Sequence, residues 1–335
     1  MSNLVNTYVS GPGMVAMDVT TKCNLKCVHC FNDSGENAPF VDTSPEVKLN
    51  IAKQVAELHP MNVCMCGGET LCCPNLYDII DVLRPNVATV SLVSNGMLLT
   101  KEVAKKLKEH GIALAQISID GHEAWIHDSF RGVHGSFEKA KSAVRNLVEA
   151  GIKKVDVSMV PHKLNFRHFD KYVELVYSLG ASGIRVMPFL PSGRGKKVGN
   201  KLMISAEDYF DFCRMFNKLK YIYYGKIELQ WGDPIDHMRR MPKNSSIGLK
   251  TYCMEIKTNG DLTVSTYLPV VVGNCTKKHT LKEYWFGGYN DAWSNKRFLQ
   301  YVEKVRNIYD LETFEPEPFS GETISWDLLE DSNEV

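Results

Sequence analysis

The sequence predicts an α/β fold, a partial (β/α)6 TIM-like barrel followed by a small α+β appendage. Three observations predict it. Six short runs rich in β-branched or apolar residues recur from residue 14 onward, with helical patterns between them, the arrangement of parallel strands joined by helical crossovers. The helical stretches begin behind Pro, Ser or Thr and several close on Gly, as helix termini require. Polar residues and cysteines gather where strands end, the face that carries chemistry in such barrels, which favours a barrel over a doubly wound sheet.

The strands fall at MVAMDVT (14–20), NVCMC (62–66), ATVSLVSN (88–95), LAQISID (114–120), KVDVSMV (154–160) and GIRVMPF (183–189). Among the helices, PEVKLNIAKQVAEL begins at Pro45 behind the cap candidates Thr43 and Ser44, and NLYDIIDVL follows Pro74. KEVAKKLKEHG follows Thr100 and closes on Gly111; the next two helices close on Gly151 and Gly180. PSGRGKKVGNK (191–201) reads as a flexible basic loop, SAEDYFDFCRMFNKLK as a helix and KIELQW as a further strand. YCMEIKTNGDLTVSTYLP has two alternating runs about Asn259-Gly260, the strongest short hairpin signal. Four segments result: an N-terminal extension (1–13), a core barrel (14–200), a C-terminal domain (201–310) and an acidic tail (311–335). The tail, with FEPEPFSGE, reads as a loose cover or a partly disordered segment.

Lys plus Arg and Asp plus Glu both count 39, so the formal net charge is zero and no field argues for nucleic acid. No apolar run is long enough to span a bilayer, and the N-terminus lacks the basic and apolar regions of a signal peptide. A cytoplasmic location is therefore expected. Seven of the ten cysteines lie within the first 73 residues, and without a secretion signal such clustering points to metal or redox chemistry, not disulfides.

Cys23, Cys27 and Cys30 follow the first strand in CNLKCVHCF. A zinc site could use these three thiolates with a fourth ligand elsewhere, His29 for example. Three thiolates can equally bind three irons of a [4Fe–4S] cube and leave the fourth iron open. The open corner suits a ligand bearing an amine and a carboxylate, such as the methionine part of S-adenosylmethionine. A reduced cluster can then pass an electron into the sulfonium and break a C–S bond, giving a 5′-deoxyadenosyl radical.

CxxxCxxC after the first strand and CGGET (66–70) after the second together resemble the radical SAM superfamily, over roughly residues 14–200. The resemblance implies one [4Fe–4S] cluster on Cys23, Cys27 and Cys30, S-adenosyl-L-methionine as its partner, and hydrogen abstraction from a substrate carbon. It implies that His29, in the family's usual aromatic position, lies near the adenine. Gly67, Gly68 and Glu69 inherit contact with the methionine amino group, the glycines by allowing close backbone approach and Glu69 by its charge. Thr70 stands where the family most often has Pro. Ser94 and Asn95, and Ser118 and Asp120, end the third and fourth strands and correspond to ribose or methionine contacts. HDSFRGVHGSF (127–137) resembles a segment common in peptide-modifying members and places Arg131 near the S-adenosylmethionine carboxylate. Met187 and Phe189 could line the adenine pocket. Plainer readings stand beside these: strand-end hydrogen bonding for Ser94 and Ser118, a salt bridge for Arg131, and core packing for Met187 and Phe189.

Residues 251–285 resemble the C-terminal extension of SPASM or twitch radical SAM enzymes through Cys253, Asn259-Gly260, Gly273-Asn274 and Leu281-Lys-Glu-Tyr-Trp285. The hairpin cysteine of that pattern is Ser265 here, and no cysteine follows Cys275. Two thiolates cannot hold a full auxiliary cube without other ligands. A degenerate SPASM/twitch-like region without an auxiliary cluster is expected, a two-cysteine remnant site at Cys253 and Cys275 being the other reading. Cys64 and Cys66 face one side of a strand. A substrate radical that regains hydrogen needs a thiol opposite it, and Cys66, Cys213 and Cys253 are the candidate donors among the spare cysteines.

The barrel, the 127–137 segment and the SPASM-like region point to modification of a ribosomally synthesised peptide by cross-link, epimerisation or oxidation. A small-molecule substrate, such as a tetrapyrrole or an amino sugar, is the alternative. A zinc or thiol protein without radical chemistry is the alternative from another class. An electron donor such as a flavodoxin or ferredoxin is implied. Residues 1–13 are too short for a peptide-engaging winged helix, so leader recognition would need a separate leader-peptide-binding protein.

Overall fold

Residues 11–36, 38–39, 41–232, 238, 241–242, 251–315 and 324–330 are described by the computed structural model of the chain. In chain order the strands are β1 (Met14–Thr20), β2 (Asn62–Gly67), β3 (Thr89–Ser94), β4 (Leu114–Ser118), β5 (Lys154–Met159), β6 (Gly183–Val186), β7 (Glu228–Trp231), β8 (Cys253–Ile256), β9 (Asp261–Thr263), β10 (Val270–Asn274) and β11 (Ile324–Ser325). The helices are α1 (Pro45–Glu57), α2 (Leu76–Leu83), α3 (Lys101–Glu109), α4 (Ala124–Arg131), α5 (Ser136–Glu149), α6 (Phe169–Ser178), α7 (Arg194–Leu202), α8 (Ala206–Ile222), α9 (Leu281–Phe286) and α10 (Lys296–Val302). Two units divide the chain, residues 1–23, 32–91 and 234–335 in the first and residues 24–31 and 92–233 in the second.

In the first unit β1 and β2 are parallel, from Met14 opposite Asn62 to Asp18 opposite Cys66. Helix α1 connects them, with Ser44 Oγ accepting from the Val47 N–H and Pro45 in the first turn, where no N–H is needed. Side chains alternate across each strand. Val15, Met17, Val63 and Met65 are at most 1% exposed, whereas Ala16, Asp18, Cys64 and Cys66 stay partly exposed. β8 runs parallel to β1 on its other side, with Ala16 opposite Glu255. The hairpin partner β9 and then β10 follow antiparallel, around a Gly260 whose φ of 84° suits glycine. The SPASM-like segment thus continues the same sheet as β1. β11 adds a parallel strand beside β10, so part of the acidic tail is ordered sheet and not a loose cover. Most of FEPEPFSGE lies outside the described residues.

In the second unit β4, β5, β6 and β7 are parallel neighbours in that order, and β7 leaves the sheet open. KIELQW therefore contributes a parallel strand to the α/β sheet. GIRVMPF is strand only over its first four residues, since Pro188 has no N–H to give a ladder. The expectation of a flexible loop at 191–201 is overturned: residues 194–202 form α7. Two hydrogen bonds pin its start, from the Arg194 N–H to Cys30 O at 3.0 Å and from Arg194 Nε to Cys27 O at 2.9 Å. A Cβ on Gly195 would lie 2.5 Å from Leu190 O and 3.3 Å from His29 O, so this glycine serves close packing, not flexibility. Among the described residues no helix is long and apolar enough to cross a membrane.

Phe169 on α6 is fully buried, edge-on to Phe212 at 5.0 Å and stacked on Phe216 at 5.8 Å, which joins α6 to α8. Phe169→Ala should cost about 3–5 kcal/mol. Urea unfolding would show a lowered midpoint, and an unchanged midpoint would remove Phe169 from the core.

Candidate functional site

In the first unit the end of β2 lies against the segment that leads into Cys23. The Gly68 N–H donates to Thr20 O at 2.7 Å and the Glu69 N–H to Lys22 O at 2.8 Å. This approach excludes side chains. A Cβ on Gly67 would stand 2.4 Å from Thr20 O, and one on Gly68 2.2 Å from Lys22 O; Gly67 also has a φ of 118°. The glycines of GGE are therefore required by the chain around Cys23 whether or not a ligand is present. Glu69 is fully buried, and its Oε1 accepts from the Leu71 N–H at 3.2 Å in the 3₁₀ turn Thr70–Cys72. Thr20 and Thr21 are held from the other side by Asp42, which also pairs with Lys48 at 2.9 Å. Burial pushes the Asp42 carboxyl up, but its hydrogen bonds from Thr20, Lys48 and Thr21 outweigh this and hold it below the usual range.

In the second unit lie Cys27, Cys30 and His29. The Val28 N–H donates to Phe130 O at 3.0 Å, tying this loop to α4. His29 stacks on Phe130 with centroids 3.8 Å apart, and Phe130 stacks on His162 at 4.0 Å, so three flat rings form one pile. Burial first, and then Arg131, push His29 down to about 3, and burial pushes His162 down to about 4. Both rings are neutral at ordinary pH. His29 Nδ1 and His162 Nε2 are buried without a hydrogen-bond partner.

Arg131, at the end of α4, grips fully buried Asp120 through Nε at 2.6 Å and Nη2 at 2.5 Å, while Nη1 lies 3.8 Å from Cys27 Sγ. Asp120 Oδ1 accepts from the Val160 N–H at 2.8 Å. Burial would raise the Asp120 carboxyl, but Arg131 outweighs it and holds the group below its usual range. Arg131 thus combines a salt bridge with contact to a cysteine sulfur. A cation beside sulfur is the setting that favours a thiolate.

Other expected residues take smaller roles. Asn95 Nδ2 donates to Asn24 Oδ1 at 2.8 Å and Ser94 Oγ accepts from the Gly96 N–H, both at the exit of β3. Ser118 Oγ accepts from Ser158 Oγ across β4 and β5 at 3.5 Å. Phe189 is buried core, edge-tilted to Phe130 at 6.3 Å. Cys213 sits on α8 in the second unit. Cys253 and Cys275 belong to the first; burial pushes the Cys253 thiol up, and the Cys275 thiol to about 12. Phe130, His162, Arg194 and the buried Lys257 were not singled out from sequence. Phe130 lay inside the 127–137 segment, whereas no local signal marked His162.

None of the ten cysteines is joined in a disulfide. Among the described residues no three His, Cys, Asp or Glu side chains converge on a single-ion position. A cube requires no such point, because each thiolate binds a different iron. Within the second unit, Cys27 with the Arg131 guanidinium beside its sulfur, Cys30, and the unpartnered Nδ1 of His29 are donors compatible in kind with a cluster and its ligand.

Residues 17–176 match the radical SAM superfamily. The chain carries a radical SAM domain. A [4Fe–4S] cluster and S-adenosylmethionine are the cofactors of such domains. The chain is 29% identical over 295 residues to an AdoMet-dependent heme synthase of Methanosarcina barkeri, covering 82% of each. It is 32% identical over 199 residues to the mycofactocin maturase MftC of Mycobacterium tuberculosis, covering 59% of this chain and 50% of that one. The chain thus spans about half the length of that maturase. Streptococcus suis SuiB bound to S-adenosylmethionine shares the fold with a TM-score of 0.68 at 15% identity, over 98% of this chain and 80% of SuiB. SuiB bound to its precursor peptide SuiA gives 0.67 at 16% identity, over 91% and 76%. The α/β fold with an open parallel sheet matches these radical SAM neighbours.

Gly68→Ala should destabilise the protein by about 1–3 kcal/mol through overpacking against Lys22 O, read as a lowered urea midpoint. Wild-type stability would show that the chain around Cys23 shifts freely. A pH effect follows from His127 and His162, both fully buried. Burial pushes each from its usual 6.5 to about 4, with Arg131 adding to the effect at His127. The unfolded chain therefore takes up protons first as pH falls. Stability is complete above pH 6.5 and is lost as pH drops toward 4, by on the order of 3 kcal/mol per ring at the limit. The urea midpoint should fall between about pH 7 and about pH 5, and His162→Leu should flatten that slope; parallel slopes in the two proteins would refute it.

Proposed function

We propose that this radical SAM enzyme modifies a ribosomally synthesised peptide. The supporting observation is the joint likeness to a maturase at 32% identity and to a fold solved with a precursor peptide bound. Cys23, Cys27 and Cys30 hold the [4Fe–4S] cluster in this reading. Gly67, Gly68 and Glu69 receive the methionine end of S-adenosylmethionine, and His29 lies at the adenine. When bound, these cofactors supply the radical that takes a hydrogen atom from a substrate carbon. Arg131 keeps positive charge beside the Cys27 sulfur, and Asp120 acts through Arg131, since one carboxylate oxygen is gripped by the guanidinium and the other accepts from Val160. Ser94, Asn95 and Ser118 complete the polar strand ends.

The C-terminal region is read as a degenerate SPASM/twitch domain without an auxiliary cluster. The Cys275 side chain is 3% exposed and its thiol is pushed up to about 12, which suits packing better than ligation. The enzyme would work in the cytoplasm with a flavodoxin or ferredoxin as electron donor. A separate leader-binding protein would serve a substrate that carries a leader. A tetrapyrrole substrate is the second reading, favoured by the match to an AdoMet-dependent heme synthase over 82% of both chains.

Anaerobic purification should yield a brown protein with about four irons per chain that bleaches with dithionite. About eight irons would overturn the single-cluster reading, and a colourless zinc protein would overturn the cluster itself. Cys23→Ala, Cys27→Ala and Cys30→Ala should each abolish 5′-deoxyadenosine formation; normal formation in any one removes that residue from the ligand set. Co-expression with short reading frames neighbouring the gene should give a peptide of altered mass. Turnover of a tetrapyrrole carboxylate instead would select the second reading.

A further inference from the structure

The partly exposed face of β2, β1 and β8 is laid out in rungs. In the rung nearest the strand ends, Cys66 is opposite Asp18, and Lys257 follows β8 to place its Nζ 3.2 Å from Asp18 Oδ2. In the rung behind it, Cys64 and Glu255 flank Ala16. The other face of these strands is closed, with Val15, Met65 and Met254 wholly buried. Chemistry in this part of the first unit therefore has a polar, thiol-bearing wall available to it, directly below Gly67.

Cys66 is distinctive on this wall. Its Sγ–H points at Cys64 O, 3.3 Å away, and its sulfur lies 3.9 Å from Cys64 Sγ. The hydrogen bond with Cys64 first, then burial, then the negative charge of Asp18 push the thiol well above its usual range, against a smaller opposing pull from Lys257. Glu255 and Cys253, from the neighbouring strand, are pushed toward their neutral forms by burial, and Lys257, the one group pulling Cys66 toward thiolate, is paired with Asp18. A protonated thiol is a poor metal ligand and a poor nucleophile, but a protonated thiol is the form that can give up a hydrogen atom. The other spare thiols are less suited. The Cys73 thiol is engaged with Asn75 Oδ1 at 3.5 Å, Cys275 is buried, and Cys253 lies a further rung from the strand ends.

We propose that Cys66 is the hydrogen-atom donor to carbon radicals formed at this end of the sheet, with Cys64 as its positioning residue. The inference rests on the radical SAM reading of GGE and extends it to the fate of the radical: hydrogen returns to carbon, as in an epimerisation, and no cross-link forms. In the step, the Cys66 S–H bond breaks homolytically and a C–H bond forms, leaving a Cys66 thiyl radical. One electron from the flavodoxin- or ferredoxin-type donor that serves the cluster, and one proton from solvent, restore the thiol.

The test uses the reconstituted holoenzyme with S-adenosylmethionine and dithionite in D2O, without substrate, where thiols carry deuterium. Wild type should form 5′-deoxyadenosine containing solvent deuterium, and Cys66→Ser should lose most of that label per molecule formed, with iron content and visible spectrum retained. Label kept in Cys66→Ser, or lost in Cys72→Ser instead, overturns the proposal. Unlabelled product from wild type also overturns it, while leaving the radical SAM reading intact; no 5′-deoxyadenosine at all fells both. A second readout needs no turnover. Peptide mapping of holoenzyme treated with iodoacetamide should show Cys66 alkylated only at alkaline pH, and Cys64→Ala should shift that profile toward neutral. Alkylation of wild-type Cys66 at neutral pH as fast as an exposed thiol would overturn the assignment.

Discussion

Two backbone hydrogen bonds, from Gly68 to Thr20 and from Glu69 to Lys22, organise the first unit around its reactive residues. They require two successive residues without side chains, and they place the end of β2 against the stretch that becomes the cysteine loop. Asp42 clasps the same stretch from the other side through Thr20 and Thr21. The glycines of GGE thus let the chain itself approach, a demand that stands apart from the ligand contact proposed for them.

The second unit solves a different problem, which is how to bury charge and rings next to cysteine. Asp120 and Arg131 neutralise one another, with two guanidinium nitrogens on one carboxylate oxygen and both groups almost wholly removed from water. Such a pair is costly to break, because either partner alone would be an unpaired buried charge. Beside it, the His29–Phe130–His162 pile fixes ring orientation by flat contact, and burial keeps both histidines neutral. Gly195 and Arg194 complete the surround by letting α7 press onto the backbone of Cys27, His29 and Cys30.

The wall formed by β2, β1 and β8 links the C-terminal segment to the chemistry of the core. β8 lies in the same sheet as β1 and contributes Glu255 and Lys257 to the face that bears Cys64, Cys66 and Asp18. A region that resembles an auxiliary-cluster domain is here part of the polar surface beside GGE, and burial pushes its Cys253 and Cys275 thiols up.

Much of this was legible in the sequence, for a physical reason: strands with period-2 patterning and helices with Ser, Thr or Pro at one end are specified locally. β1 falls where its run of residues placed it, and Ser44 caps α1 as its type requires. The cysteine spacing and GGE could likewise be read, because both lie on short continuous stretches. What distant residues decide could not. PSGRGKKVGNK is rich in glycine and charge, so local propensity argues for a loop, yet bonds to Cys27 and Cys30 make it a helix. His162 is far from His29 in sequence and meets it only through Phe130. The pairing of Lys257 with Asp18, 239 positions apart, likewise exists only once β8 has joined β1. Sequence alone determined most of the strands and helices and the stretches that resemble the radical SAM motifs; the tertiary structure decided which charges, rings and thiols stand beside those stretches and made a helix of 194–202, because such contacts depend on strand register and close packing between segments remote along the chain.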